Sequence, residues 1–293
     1  MTESEPGRFT RWIDGARPRT WPASLVPVLV GTLAIRPESL RWNRMVAAAV
    51  VALAMQIGTN YANDYSDGIR GTDATRVGPV RLVGQGLAAP ASVRRAAVAC
   101  FAIAGLVGLW LCSLTSWWLV LPGIAAVVAG WLYTGGPKPY GYLGLGELFV
   151  FVFFGVFATI GSGYVQDQHI PALLWLASIP VGLLATALLE ANNLRDITGD
   201  RFSKKRTLAV RLGRQRAGWL YGISLLVAAL AIVVMAVIHP WCAIALVGFV
   251  ATTKPLQLAL SEAEGRDLLP MLKATGQAQL CIGVLLALGL AIR

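Results

Sequence analysis

Two clusters of Asp and Asn residues, each directly after a long apolar run, are the part of this sequence best suited to chemistry. The first cluster lies in NYANDYSDGIRGTD (residues 60–73) and the second in NNLRDITGD (residues 192–200). A single acid at a helix end is usually a cap or a solvated group. Two similar clusters point instead to bound cations, because like charges beside an apolar medium are costly unless they are neutralised.

Within the first cluster the polar residues recur at helical spacing. Asn60, Asp64 and Asp67 stand at i, i+4 and i+7, so they share one face if the apolar helix continues through them. Asn63 and Asp67 form a second i, i+4 pair beside that face. The spacing therefore predicts a stripe of oxygen ligands at the end of a helix.

The second cluster repeats this chemistry, with Asn192, Asp196 and Asp200 at i, i+4 and i+8. Oxygen ligands suit Mg²⁺, which is usually held by one or two carboxylates together with substrate phosphates. Neither cluster contains His or Cys, which disfavours zinc. The predicted metal ligands and catalytic acids are Asp64, Asp67, Asp196 and Asp200.

Basic residues follow both clusters. Arg70 and Arg81 come after the first, and Lys204 lies one turn beyond Asp200 in the second. Metal-bridged phosphates flanked by Arg and Lys make an electrostatic clamp for a diphosphate. Alternatively, each of these basic residues serves only to orient the protein in the membrane. No G-x-x-x-x-G-K-[ST] loop is present, so nucleotide hydrolysis has no support.

The elements that must position these clusters are membrane helices. Of the 293 residues, 56% are hydrophobic and 14% are charged, and the mean hydropathy is +0.63. Soluble chains average about 45–50% apolar and about 25% charged residues. We therefore predict one all-α, polytopic membrane domain over residues 1–293, built as two similar four-helix halves plus one extra helix around a central cavity. The predicted spans are 20–36, 45–63, 96–114, 116–133, 147–164, 171–192, 217–238, 240–258 and 270–291.

The distribution of Lys and Arg predicts the orientation. With the N-terminus inside, 21 of the 25 basic residues fall on the inner side, which is also the side of both clusters. We thus expect a protein of the cell membrane whose N-terminus, cavity opening and active-site loops are cytoplasmic. The net charge of +10 then reflects this bias and attraction to anionic lipid headgroups. Nucleic-acid binding is disfavoured, because no compact basic domain exists to carry it.

The paired motifs NDYSDGIRGTD and NNLRDITGD resemble those of the UbiA superfamily of intramembrane aromatic prenyltransferases. GARPRTWPASLVPVLVG, WLYTGGPKPYGYLGLGELFVFVFFG and NNLRDITGDRFSKKRTLAVRLG are similar to the branch that prenylates 1,4-dihydroxy-2-naphthoate in menaquinone biosynthesis. The resemblance implies Mg²⁺-dependent transfer of a polyprenyl group from polyprenyl diphosphate, with loss of CO₂ and diphosphate. The residues that it places in the two motifs are Asn60, Asn63, Asp64, Asp67, Asn192, Asp196 and Asp200.

The chain departs from the family pattern at two points. The family's first motif often ends in an acid where this chain has Gly71, and the next acid is Asp73. The family's Tyr-x-x-x-Lys appears here as Tyr133 and Lys138, one residue further apart. The resemblance implies that this pair contacts the substrate.

Two more charged residues are candidates for substrate binding. Glu147 opens the fifth span within the stretch that resembles the naphthoate branch. The alternative is a structural role, in which its carboxyl group pairs with a neighbouring polar group. Arg195 lies between Asn192 and Asp196 and is a candidate to bind the diphosphate or the acceptor's carboxylate. Aromatic residues that could face an allylic cation are Tyr61, Tyr65, Tyr133, Tyr140, Phe149 and Phe151.

Other functions stay open from the residues alone. A transporter or channel would need acids at bilayer mid-depth on several helices, whereas most acids here gather at one face, Glu190 being the main exception. A related prenyltransferase with another acceptor, such as 4-hydroxybenzoate, haem or a sugar phosphate, is the nearer alternative.

Overall fold

The protein is described by a computed structural model over residues 7–35, 37–72 and 80–292. Within these ranges the chain is all-helical and has no strand. The helices of this part of the chain are α1 (Arg8–Gly15), α2 (Pro22–Leu33), α3 (Trp42–Ile69), α4 (Pro90–Leu114), α5 (Val120–Leu132), α6 (Gly146–Asp167), α7 (Ala172–Phe202), α8 (Leu208–Leu212), α9 (Arg214–Ile238), α10 (Pro240–Leu260) and α11 (Gly265–Ala291).

Every predicted span coincides with one of these helices, although the count of nine crossings is not confirmed. In the described chain, seven helices are long and apolar enough to cross a membrane. The two other predicted spans correspond to shorter apolar helices, Pro22–Leu33 and Trp117–Leu132. The all-α membrane bundle is therefore confirmed, while the division into two four-helix halves stays a prediction.

Helices α3 and α7 are longer than their apolar runs, and this extension carries both motifs. The predicted spans end at residues 63 and 192, whereas the helices continue to Ile69 and Phe202. Each helix then stops at a left-handed residue, Gly71 with φ 69° and Lys204 with φ 58°. Residues 60–69 and 192–202 are here called the first tip and the second tip. Because both tips are helical, their polar residues keep the spacing on which the sequence argument relied.

Helix α2 is short and lies inside the bundle. It packs against α3, α6, α7 and α11. The contact with α6 is tight, because a Cβ atom added at Gly31 would lie 2.0 Å from the carbonyl oxygen of Thr159. Small residues permit such approaches between membrane helices, whose association depends on van der Waals packing. Glycine at position 31 thus fixes how closely α2 and α6 pack.

Large apolar side chains cover much of the outer surface. Trp118 is 78% exposed and Val237 is 82% exposed, and Trp117 and Trp241 are also exposed. Apolar exposure on this scale is unfavourable in water, whereas lipid accommodates it, with Trp favoured at the membrane interfaces. The surface is therefore that of a protein immersed in a bilayer.

Replacement of Gly31 by Ala should destabilise the protein, because the added methyl group has no room beside the Thr159 carbonyl. Overpacking of this kind costs about 1–3 kcal/mol. We expect a lower Tm in detergent for Gly31→Ala. The matched control is Gly123→Ala, where an added Cβ has no atom within 4 Å. Equal Tm values for the two variants would contradict this account of the packing.

Candidate active site

The first tip presents its polar residues in two directions rather than as one stripe. Asn60 donates from Nδ2 to the carbonyl oxygen of Ala16 (3.0 Å) and to the hydroxyl of Thr20 (3.2 Å). Asn63 instead accepts a hydrogen bond from the hydroxyl of Thr134 (2.9 Å) and lines a polar pocket together with Asp67. The predicted second pair, Asn63 and Asp67, is thus the one that faces the pocket.

Asp64 and Asp67 bind different partners. Both oxygens of Asp64 accept backbone N–H groups, from Leu82 at 2.7 Å and from Val83 at 3.0 Å. Asp67 accepts a hydrogen bond from the Tyr142 hydroxyl and lies 2.8 Å from the Nζ atom of Lys205. Residues three apart on an α-helix point about 60° away from each other, which permits this divergence.

Tyr142 supports Asp67 as a neutral hydrogen-bond donor. Burial, followed by the neighbouring carboxylate of Asp67, raises the pKa of Tyr142 above its ordinary value. The Nζ atom of Lys205 also lies 4.8 Å from the centre of the Tyr142 ring. The phenol therefore stays protonated and contacts both members of the ion pair.

The second tip divides its residues in a similar way. Asn192 and Asp200 line the polar pocket. Asp196 instead forms a bidentate pair with Arg195, whose Nε and Nη2 atoms each lie 2.7 Å from a carboxylate oxygen. Arg195 is itself buried. In this structure Asp196 and Arg195 are paired with each other, and neither is among the described residues that line the polar pocket or the larger cavity next to it.

The two tips meet at one pocket, as the sequence argument required. This polar pocket has a volume of about 50 Å³. Its charged lining residues are Arg17, Asp67, Arg81, Asp200 and Lys205. Its uncharged polar lining residues are Asn63, Asn192, Asn193, Tyr133, Tyr142, Thr134 and Thr207. Side chains separated by more than a hundred residues in sequence therefore surround a common space.

Lys205 occupies the place that the sequence suggested for Lys204. Lys204 has a left-handed backbone and an exposed side chain, while Lys205 is 4% exposed and pairs with Asp67. Arg81 lines the pocket as predicted. Arg70 is exposed and donates to the carbonyl oxygens of Thr134 and Gly136, so it braces the first tip from outside.

The other candidates also separate. Tyr133 lines the pocket, whereas Lys138 is exposed. Glu147 is buried and accepts a hydrogen bond from the pocket residue Asn193 (2.9 Å). Glu190 accepts one from Ser224 on α9 (2.9 Å). Asp73 lies outside the described residues.

An apolar chamber adjoins the polar pocket. Its volume is about 700 Å³, and its walls are mostly apolar side chains of α2 to α7. The residues that line both spaces are Arg17, Asn63, Tyr133, Leu189 and Asn192. The molecule therefore offers a small charged end and a large apolar end to a single ligand.

A row of aromatic rings forms part of the chamber wall. Tyr140 stacks on Phe149 with ring centres 4.0 Å apart, and Phe153 and Phe157 continue the row at 6.0 and 5.3 Å. Helix α6 widens into a π-helix over Phe151–Phe157. The row, with its four-residue spacing, lies where the α-helical turn at Gly146–Val150 passes into the π-helix. Phe151 instead packs near Gly182, and Tyr61 belongs to the α3–α4 core.

The residues of the polar pocket fit a hard divalent cation with a phosphate-containing ligand. Asp67, Asp200, Asn63 and Asn192 supply oxygen donors, and Asn192 Oδ1 is a buried acceptor without a hydrogen-bond partner among the described residues. Within that same part of the chain, no three His, Cys, Asp or Glu residues are gathered closely enough to hold a metal ion by themselves. This donor set suits Mg²⁺ that shares its coordination with phosphate oxygens.

These features define a class: a polytopic membrane protein with a charged pocket at its helix tips and an apolar chamber among its helices, which together suit an amphipathic ligand. The sequence model of the UbiA prenyltransferase family matches residues 24–266. The chain belongs to the UbiA prenyltransferase family.

Curated relatives are similar over nearly the whole chain. A Mycobacterium tuberculosis protein named 1,4-dihydroxy-2-naphthoate octaprenyltransferase is 45% identical, with 97% of each chain covered. The Escherichia coli protein of the same name is 34% identical, with 99% of this chain and 98% of that protein covered.

Solved structures share the fold. A UbiA homologue from Archaeoglobus fulgidus, bound to DMAPP and Mg²⁺, has a TM-score of 0.66 at 15% identity, covering 97% of this chain and 100% of that chain. The apo structure of a homologue from Aeropyrum pernix has a TM-score of 0.69 at 14% identity, covering 92% and 96% of the two chains.

Replacement of Lys205 by Met should reduce activity far more than replacement of Lys204 by Met. The first change leaves Asp67 without its buried cation and removes a hydrogen-bond donor to the phosphate. We therefore expect activity to fall about tenfold or more. The measurement is the KM for a diphosphate donor, with Tm as a check on folding. A larger loss in Lys204→Met than in Lys205→Met would contradict the assignment.

Proposed function

We propose that this protein transfers a polyprenyl group from polyprenyl diphosphate to 1,4-dihydroxy-2-naphthoate, in a reaction that requires Mg²⁺ and releases CO₂ and diphosphate. The immediate product is demethylmenaquinol, the two-electron reduced form of demethylmenaquinone, so the enzyme serves menaquinone biosynthesis. The proposal includes residence in a bacterial cell membrane, with the N-terminus and the helix tips on the cytoplasmic side.

The observation that carries the proposal is the junction between the polar pocket and the apolar chamber. A polyprenyl diphosphate has one highly charged end and one long apolar tail, and the two adjoining spaces match these parts. The bond to be broken joins the head to the tail, so it would lie near the shared wall residues, which include Asn63, Tyr133 and Asn192.

Basic side chains of the pocket have a direct role in this reaction. Arg17, Arg81 and Lys205 place positive charge where the diphosphate becomes a leaving group. Fixed charges in a site that excludes water stabilise developing negative charge without reorganisation. Asp67 and Asp200 would hold Mg²⁺, which when bound neutralises phosphate oxygens and favours departure of the diphosphate.

The bond changes balance without an added base. The allylic C–O bond breaks, and its electron pair leaves with the diphosphate. The ring carbon that bears the carboxylate forms the new C–C bond, and loss of CO₂ returns the electron pair of the C–COO⁻ bond to the ring. The chamber's task is to keep water from the allylic cation, and its aromatic row presents ring faces to the tail.

The naphthoate acceptor is supported by the relatives, two of which carry that substrate in their names at 45% and 34% identity. The alternative acceptor is 4-hydroxybenzoate. Purified protein with a panel of donors and acceptors, with and without Mg²⁺, would separate these cases by product mass. Prenylation of 4-hydroxybenzoate in preference to the naphthoate would overturn the acceptor assignment.

Asp67→Asn and Asp200→Asn should each lower Mg²⁺-dependent product formation by about 100-fold or more, because each removes a charged oxygen ligand from the pocket. The assay is diphosphate release with saturating donor and acceptor. Asp267→Asn, at an exposed position remote in sequence from both motifs, is the matched control. Full activity in both pocket variants would exclude this pocket as the active site.

Gly161→Phe should shift the donor preference toward shorter prenyl chains. Gly161 lines the chamber, and a Cβ there meets no atom within 4 Å, so the larger side chain would occupy space assigned to the tail. Steric discrimination of this kind reaches about tenfold or more in kcat/KM. Gly161→Ala should keep the original preference. Equal losses for short and long donors in Gly161→Phe would refute this placement of the tail.

A further inference from the structure

Residues 81–86, here called the capping turn, form a single helical turn over the first tip. The N–H of Gln85 donates to the carbonyl oxygen of Arg81 (3.0 Å), and that of Gly86 donates to Val83 (3.0 Å). Gly86 then takes a left-handed conformation with φ 69°. The first N–H groups of such a turn have no acceptor within it. These are the groups of Leu82 and Val83 that donate to Asp64.

Asp64 thus acts as the N-terminal cap of this turn, supplied from a different helix. Carboxylates favour this position, because they accept the free N–H groups and complement their partial positive charge. Asp64 is fully buried. It does not belong to the described residues that line the polar pocket or the apolar chamber. Both of its carboxylate oxygens are hydrogen-bonded within the protein.

Two apolar contacts dock the same turn on α1 and α3. The Leu82 side chain is fully buried and fits against Gly15, where an added Cβ would lie 2.8 Å from its Cδ1 atom. Val83 fits against Gly68, where an added Cβ would lie 2.4 Å from its Cγ1 atom. Because Val has no flexible end to move aside, a side chain at position 68 would displace the turn.

The residue at the start of this turn is Arg81, whose side chain is 4% exposed and lines the polar pocket. Its backbone is directly followed by the two N–H groups that Asp64 holds. We infer that Asp64 is a positioning residue: by capping this turn it holds Arg81 in the pocket, where the guanidinium group binds diphosphate. This inference rests on the proposed function, and it gives Asp64 a different task from Asp67.

Hydrogen exchange tests the structural half of this inference without substrate. In Asp64→Ala, the amides of Leu82 and Val83 lose their acceptors, so exchange in peptides covering residues 81–86 should accelerate at least about tenfold. Gly68→Ala, which alters no charged group, should accelerate the same peptides by displacing Val83. Arg81→Ala should leave their exchange close to that of the wild type. Unchanged exchange in Asp64→Ala would overturn the inference.

Binding of inorganic pyrophosphate with Mn²⁺ tests the other half. Asp64→Ala, Gly68→Ala and Arg81→Ala should each weaken pyrophosphate affinity by about tenfold, corresponding to one charge-assisted contact. The Asp64→Ala/Arg81→Ala double variant should bind no more weakly than Arg81→Ala, because both changes remove the same interaction. Mn²⁺ affinity measured by electron paramagnetic resonance should fall in Asp67→Asn and hold within about twofold in Asp64→Ala.

The opposite result is equally clear. If Asp64 acts as a metal ligand, its loss lowers Mn²⁺ affinity as much as Asp67→Asn does, its effect multiplies with that of Arg81→Ala, and Gly68→Ala keeps wild-type pyrophosphate affinity. A wild-type protein that binds no pyrophosphate would count against the proposed function instead, and the exchange data would still decide whether Asp64 holds the turn.

Discussion

The architecture of the site depends on one buried ion pair, between the Nζ atom of Lys205 and the carboxylate of Asp67 at 2.8 Å. The pair joins the segment directly after α7 to the end of α3 across 138 positions in the sequence. Removal of one partner from a buried pair costs about 3–5 kcal/mol, because the other charge is left uncompensated. A hydrogen bond from the Ser203 hydroxyl to the carbonyl oxygen of Thr72 (3.3 Å) links the same two helix ends, so the ion pair and this bond together hold the tips against each other.

The charge balance of the pocket follows from that contact. Three cations and two anions line it: Arg17, Arg81 and Lys205, with Asp67 and Asp200. A cationic excess among mostly buried side chains is unfavourable on its own and becomes favourable when a polyanion enters. A diphosphate with one divalent cation retains net negative charge, so it complements this lining. The apolar chamber behind the pocket supplies the driving force for the tail.

The sequence predicted the helices and the two motifs well, because apolar length and helical spacing are local properties. It could not predict which motif side chains face inward. Lys204 was favoured by extending α7 one turn beyond Asp200, but the helix ends at Phe202, and the left-handed backbone of Lys204 turns the next side chain, Lys205, toward Asp67. No motif in the sequence singled out Arg17 for the site. Arg17 lies between α1 and Pro18 with a left-handed backbone, and its side chain lines the pocket. Residue spacing along a helix could not predict this, because Arg17 lies outside the helices.

The acids of the two tips are arranged in the same way. An acid near lipid must be satisfied whether or not substrate is present, since an unpaired charge there would destabilise the fold. In each tip the inner acid has a partner within the protein: Asp64 holds two backbone N–H groups, and Asp196 holds Arg195. The outer acids, Asp67 and Asp200, line the pocket. Asp67 also has partners within the protein, Tyr142 and Lys205, but it meets them at the pocket wall. In both tips the acid nearer the helix end is therefore the one that faces the pocket.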